Sequence, residues 1–435
     1  MILLSHPMGN SFVRALLRGF QRRGMDYSFY TTLAFDNASW WTSWMPSRAK
    51  SEIGRRRFDI PGSRCNRHPA RELGRLLLSR CPGRPWVGHE TGPFSVDAVY
   101  QDLDQFVARE LGQSGGQIRA VYAYEDGAHE TFAAARLLGM QCCYELPIAY
   151  WETSRRLLQE EAQRWPEWEP TLLGTRDSEE KLERKSDELR WADLVVCPSS
   201  FVHQSLPEAI RGSKRCLVAE FGSPALSAEP RARTEQTGPL RVLFAGSMTQ
   251  RKGLADLFAA MKLLPRSDLE LVVMGSLLLP LEFYRRHCPH FRYEPTRSHE
   301  GVLALMRTCD VLVLPSIVEG RALVQQEAMS CGLPIIATPN AGGEDLIETG
   351  RTGFLVPIRA PAEIAAKLAW FADHRSELPA MRACAREKAM GLTWERYADK
   401  IIDVLPRGQI VGLGANSPGA LLPEARSLNV PKQGW

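Results

Sequence analysis

The chain has 435 residues, too many for one ordinary hydrophobic core, so two domains are the expectation. Hydrophobic residues make up 44% and charged residues 24%, the proportions of a globular protein, and a net charge of +4 is too small to argue for nucleic acid as a partner. No apolar run approaches about 18 residues and the opening turns polar by Ser5, which predicts neither a membrane span nor a signal peptide.

The ten cysteines are scattered, only Cys142 and Cys143 are adjacent, and none forms CxxC. That usage predicts buried reduced thiols and a cytoplasmic setting rather than a disulfide framework. His287, Cys288, Pro289 and His290 lack a second ligand cluster at zinc-site spacing, so no metal is expected.

In chain order, residues 1–5 read as a first strand. Gly9, Asn10 and Ser11 then open a helix whose apolar residues Phe12, Leu16, Leu17 and Phe20 recur at helical spacing. This start lacks G-x-G-x-x-G, which argues against a dinucleotide site there. Between 36 and 81 the regular pattern fades and basic residues gather, Lys50, Arg55, Arg56, Arg57, Arg64, Arg67, Arg71, Arg75 and Arg80, behind Trp40, Trp41 and Trp44. A solvated basic surface is one reading of segment 48–80; contact with an anionic membrane face or a phosphorylated acceptor is the other.

Residues 121–124 form a strand ending in Glu125, Asp126 and Gly127, with His129 and Glu130 beginning the next helix. Acids just past a parallel strand end face a ligand cleft, although helix capping accounts for Asp126 equally well. A strand over 141–146 brings Glu145 and Leu146 to its end. Residues 151–192 are polar and helical and contain Trp165, Pro166 and Trp168. A strand over 194–197 follows, with Ser199 or Ser200 capping a new helix, then a strand from 215 and a linker over 227–239.

Beyond the linker the alternation sharpens. Residues 241–245 form a strand, 246–250 a turn, and Leu254, Leu257, Phe258, Met261 and Leu264 an apolar helical stripe that is chiefly core. Arg251 and Lys252 precede that helix, where its dipole and two cations add at one anion; a surface role is the alternative for Lys252. The strand 269–274 ends at Gly275 and Ser276, and 291–294 with 299–307 continues the pattern. Residues 310–315 are a short β-branched run, hence a buried parallel strand, after which a loop carries Glu319 and Gly320. Helix formers run from Ala322 to Cys331. Ligands in open α/β sheets bind outside the strand carboxyl ends, and the free amides of a helix start suit a phosphate. Glu319 sits in that loop and Glu327 eight residues on, inside the helix. One carboxylate can reach the reacting end of a ligand and the other its hydroxyl-rich middle. Gly342 and Gly343, after a strand over 334–338, allow either a close backbone approach or a tight turn. Helices over 361–374, 376–390 and 393–405 precede a loose tail.

The pair Glu319 and Glu327, within EGRALVQQEAMSCGLPIIAT, resembles the E-x7-E signature of retaining nucleotide-sugar glycosyltransferases of family 4, which have the GT-B fold. FAGSMTQRKG resembles that family's phosphate loop, G-R-x-x-x-x-K-G. Lys252 falls on the family's Lys, whereas Ser247 stands where Arg is usual, leaving Arg251 as the replacement. WADLVVCPSSFVHQSL resembles the segment that closes the first domain. TPNAGGEDLIETGRTGFLVP resembles the glycine-rich turn and following hairpin, with Ala341 in place of the first glycine, and 393–405 resembles the last helix, which returns to brace the first domain. The likeness is specific across about 190–405 and weak before 120.

It implies an α/β, GT-B architecture of two Rossmann-like doubly wound domains facing a cleft: 1–226 on the acceptor side, 240–392 on the donor side, 393–405 as the returning helix and 406–435 as a flexible tail. The implied reaction moves a sugar from a nucleoside-diphosphate sugar to a hydroxyl acceptor, retaining anomeric configuration, without metal or other cofactor. Glu319, Lys252 and Arg251 are the catalytic candidates, and Glu327 would hold the ribose. Gly246, Ser247, Gly275, Gly320, Arg321, Ala322, Leu323 and Gly342 would line the donor pocket, the backbone of 321–323 facing the diphosphate. On the acceptor side stand Gly9, Glu125, Asp126 and Glu145, because the family's usual histidine has no counterpart beside Glu145. A cytoplasmic protein with peripheral contact at the inner face of a membrane through 48–80 is expected. A paired-carboxylate hydrolase fits poorly, since one acid is assigned to the ribose. A non-catalytic nucleotide-sugar or glycan-binding relative and a doubly wound dehydrogenase are the rival classes, the second opposed by the missing fingerprint.

Overall fold

A computed structural model describes residues 1–35, 53–79, 84–224 and 238–406. The expectations for Trp40, Trp41, Trp44, Lys50 and Arg80, for most of the linker and for the tail fall outside these residues.

Parallel strands need a crossover that carries the chain back to the end where the previous strand began, and helices between short apolar strands supply it. The described residues accordingly form two parallel sheets. The first contains β1 (Ile2–Ser5), β2 (Tyr27–Thr31), β3 (Cys65–Arg67), β4 (Ala120–Tyr124), β5 (Gln141–Glu145), β6 (Leu194–Cys197) and β7 (Arg215–Val218), in the order β3-β2-β1-β4-β5-β6-β7. The second contains β8 (Leu240–Ala245), β9 (Leu269–Met274), β10 (Arg292–Glu294), β11 (Val311–Leu314), β12 (Ile335–Ala337) and β13 (Gly353–Leu355), ordered β10-β9-β8-β11-β12-β13. Register is fixed by pairs such as Leu4 with Phe29 and Tyr122, and Leu312 with Leu243 and Ile335.

In both sheets the order reverses beside the first strand, between β1 and β4 and between β8 and β11. Crossovers leave a reversal point in opposite directions, so the loops at the strand ends part there and open a crevice. Every loop singled out above as a ligand contact, except those after β5, β9 and β12, begins at one of these two points.

Helix Ser11–Arg22 is opened by Asn10, whose side chain accepts from the Val13 amide at 3.0 Å, and it buries Val13, Leu16, Leu17 and Phe20 against the first sheet. Helix Trp394–Val404 returns from the second half to lie on it. Gly19 permits this approach, since a Cβ there would stand 2.8 Å from Ala398 and Ile402, and Arg22 and Arg23 reach Asp399 at 2.7 and 3.0 Å.

Four features differ from expectation. β2, β3 and β13 were not anticipated, the last two being three residues long. β13 pairs in parallel with β12 instead of closing a hairpin. The turn before helix His129–Leu137 is not capped by Asp126; Asp104, from another helix, accepts from the Glu130 and Thr131 amides at 2.8 and 2.9 Å. Finally, the polar stretch after Trp151 leaves the first sheet and buries Trp168 fully in the core of the second, against Phe258, Phe283 and Tyr284.

Candidate active site

Two loops meet at the reversal point of the second sheet. The loop after β8 runs through Gly246 to Gly253 and contains a short 3-10 turn, Gln250–Lys252, capped by Thr249, whose hydroxyl accepts from the Arg251 amide at 2.9 Å. The loop after β11 carries Glu319 to Ala322 and enters helix Leu323–Ser330, whose start no side chain caps. Glycines let the backbones crowd. Gly246 has φ 147° and a Cβ there would press on the Lys252 side chain, while a Cβ at Gly275 would come within 1.7 Å of the Gly246 carbonyl oxygen. Ser276, beside Gly275, donates to Ser247 at 3.2 Å.

The crowding brings Lys252 and Arg251 onto one carboxylate. Lys252 Nζ donates to Glu319 Oε1, and Arg251 Nη1 lies 3.1 Å from the same oxygen while also donating to the Val318 carbonyl at 2.9 Å. Both Lys252 and Glu319 are almost wholly buried. Burial alone would raise the Glu319 carboxyl, but the Lys252 and Arg251 charges outweigh it and hold the group below its ordinary range. Burial lowers the Lys252 ammonium despite Glu319, and Arg251 adds to the lowering. The three expected catalytic residues therefore form one charged cluster, positive by one formal charge, at a helix start.

Glu327 lies on helix Leu323–Ser330, half-buried, with Oε1 3.3 Å from His299 Nδ1; burial raises its carboxyl and His299 opposes the rise. Gly342, at φ 75°, brings its turn against Gly320 and Arg321. Arg321 departs from the expected contact through its backbone alone. Its side chain is fully buried and donates from Nη1 to the Pro198 carbonyl and to Asp345, both at 3.1 Å.

Two residues not anticipated from sequence hold the loop after β8. Gln250 is buried and donates to Glu161 and Asp256 at 2.7 and 2.9 Å while its side-chain oxygen accepts from the Ala255 amide at 2.9 Å. Glu161 belongs to the helix Trp151–Arg164, so this loop is braced from the first half. A polar residue between a strand and two cations carried no signal of burial.

On the facing side, Gly9 packs against Arg55 and Phe58. His6, at the end of β1, is buried with Nδ1 accepting from the Met8 amide at 2.9 Å, and burial depresses its imidazole to about 3. Glu125 is buried at the end of β4, 3.7 Å from Lys185, and Asp126, at φ 71°, lies 3.7 Å from the same ammonium. Burial raises Glu125 to about 7, with Lys185 opposing. Glu125, Lys185, Asp177 and Trp151 line a cavity of about 140 Å³ that Arg251 and Val318 also line, so it adjoins the charged cluster.

Glu145 does not reach that space. It is buried beneath the returning helix, accepting from Tyr122 at 2.6 Å and from Tyr397 at 2.9 Å, and burial raises it to about 7 against those bonds. The expected acceptor-side carboxylate at this strand end is a core group. Cysteines 142, 143, 197, 288, 309 and 331 are buried and free, and among the described residues no helix is long and apolar enough to cross a membrane.

Two facing parallel sheets with a cationic loop at the reversal point define the GT-B fold of glycosyltransferases. Residues 239–374 match the model of the family described as glycosyl transferases group 1. The chain is 31% identical over 168 residues to a D-inositol 3-phosphate glycosyltransferase from Paenarthrobacter aurescens, a match covering 36% of this chain and 41% of that protein. It thus spans less than half the length of that curated relative. A glycogen synthase from Mycobacterium tuberculosis is 25% identical over 357 residues, 74% of this chain and 84% of the relative. Among solved structures, sucrose-phosphate synthase from Thermosynechococcus elongatus superposes with a TM-score of 0.64 at 17% identity, covering 93% of this chain and 97% of that one. Anabaena HepE, in complex with UDP and glucose, gives 0.57 at 16% identity, with 92% and 98% coverage.

Proposed function

We propose that the protein transfers a sugar from a nucleoside-diphosphate sugar to a hydroxyl acceptor with retention of anomeric configuration. The observation that carries this reading is the meeting of Lys252, Arg251 and Glu319 at the reversal point of the second sheet. A diphosphate leaving group gains negative charge as the glycosidic bond breaks, and fixed cations beside helix-start amides stabilise that charge. Lys252 and Arg251 serve the diphosphate with the amides of 321–323. Glu319 then orients the sugar and Glu327 the ribose. The cavity beside Glu125 receives the acceptor hydroxyl. The halves divide at 226 and 240, with 393–405 bracing the first.

The proposed setting is the cytoplasm, with peripheral contact at the inner face of a membrane through 48–80. In support, Leu73 and Leu77, one turn apart, and Trp86 are exposed near Arg67 and Arg71. Sedimentation with anionic vesicles tests this contact, and absence of binding removes it.

The transferase reading is tested by a thermal-shift screen of UDP-, GDP- and ADP-sugars, followed by turnover of whichever donor binds. Binding without turnover would favour the non-catalytic relative, which Ser247 at the usual Arg position keeps in view.

A further inference from the structure

The turn that carries Glu319 is gripped by the first half of the molecule. Gly320 lies so near the Pro147 carbonyl oxygen that a Cβ there would approach to 1.7 Å, and Ser199 Oγ donates to the Gly320 carbonyl at 2.6 Å. The next residue, Arg321, reaches the Pro198 carbonyl and Asp345. Asp345 in turn accepts from the Ser200 amide at 2.9 Å and from its hydroxyl at 2.5 Å. Three consecutive residues of one half, 198–200, thus hold 320, 321 and 345 of the other.

Asp345 is the centre of this arrangement. Its two oxygens join a buried guanidinium of the second half to both donors of Ser200. The guanidinium is itself costly, because Arg321 Nε and Nη2 are buried without a hydrogen-bond partner among the described residues. Buried polar groups retained at such a cost are poor devices for stability and better ones for fixing a geometry. The geometry fixed here is that of the peptide next to Glu319.

Resting on the transferase reading above, we propose that Asp345 is a positioning residue for sugar transfer, holding the Glu319 and Gly320 turn against the first half through Arg321 and Ser200. The carboxylate of Glu319 is then held at a fixed place relative to Pro147 and Ile148, on which Gly320 packs. A displacement of the turn by about an ångström is enough to cost large factors in rate.

The test compares wild type, Asp345→Asn and Ser200→Ala. Ser200→Ala removes only the hydroxyl bond to the carboxylate and serves if Asp345→Asn fails to fold. Three quantities are read: amide hydrogen exchange of the peptide over 316–324, UDP affinity by calorimetry, and kcat for the donor found in the screen. In Asp345→Asn the exchange quickens and kcat falls about tenfold or more, in Ser200→Ala both change severalfold, and in each the loss of kcat exceeds the loss of UDP affinity severalfold. Asp345→Glu, which keeps the charge, recovers part of kcat. Unchanged exchange and kcat in the folded variants overturn the proposal, as does a loss of UDP affinity as large as the loss of kcat, which would mark a merely structural residue. A wild-type protein that binds UDP but turns over no nucleotide sugar overturns the transferase reading and, with it, the role in transfer; quickened exchange would then record the hold on the turn alone.

Discussion

Lys252 and Glu319 are separated by 67 residues of sequence yet pair across neighbouring strand ends, with Arg251 on the same carboxylate oxygen. The cluster is buried, so removal of Glu319 leaves two uncompensated cations, at a cost of roughly 3–5 kcal/mol, whereas removal of Lys252 leaves Glu319 paired with Arg251. Lys252→Ala is expected to lower kcat by roughly 10²-fold or more, the scale of losing one preorganised charge contact. Circular dichroism checks that the variant is folded, and unchanged turnover would take Lys252 out of the mechanism.

Glu319→Gln should have opposite effects on binding and on rate. Glu319 competes with any anion for the two cations, so its neutral isostere is expected to bind UDP severalfold more tightly while turnover drops by about 10²-fold. Calorimetry and donor consumption read the two effects separately. Weaker UDP binding would show that the carboxylate builds the phosphate site instead of competing with it.

Glu327 is raised by burial and faces His299, far enough along its helix to meet the ribose end of a nucleotide. Glu327→Ala is expected to weaken nucleoside-diphosphate binding by about tenfold, the worth of one hydrogen-bonded carboxylate, with a smaller effect on kcat. Equal affinity for UDP in the variant and wild type would place the ribose elsewhere.

Glu145 makes stability depend on pH. Its carboxyl moves from an ordinary 4.5 to about 7 on folding, so the folded state binds that proton more tightly than the unfolded chain. The stability this confers is complete below about pH 4.5 and is lost as pH rises towards 7, a change on the order of 3 kcal/mol. Glu145→Gln, which keeps a neutral hydrogen-bonding group for Tyr122 and Tyr397, should flatten the decline of Tm between pH 5 and pH 7. Parallel Tm profiles would show that Glu145 does not set it.

The central strands of the second sheet and their loops were legible because β-branched runs and a cation-rich turn are local features. Lys252, Arg251, Glu319 and Glu327 followed from them. Glu145 was misjudged for a physical reason: strand-end position implies the cleft only when nothing covers it, and the covering Tyr397 comes from 252 residues away. The Arg321 side chain is a strut that sequence did not reveal, since its partners Pro198 and Asp345 lie far off in sequence. Gln250 and Trp168 sit in polar surroundings whose burial is set by elements of the other half. β2 lacked alternation because all five of its residues are buried, and β3 and β13 are too short to show any.

Trp168 has one more implication. Its indole is rooted in the core of the second half, against Phe258, Phe283 and Tyr284, although the chain on either side belongs to helices of the first half, so neither half can melt without tearing open the other's interior. Heating should therefore produce a single endotherm for residues 1–405, and expression of the second half by itself should yield a protein with an open socket that aggregates until the indole is supplied.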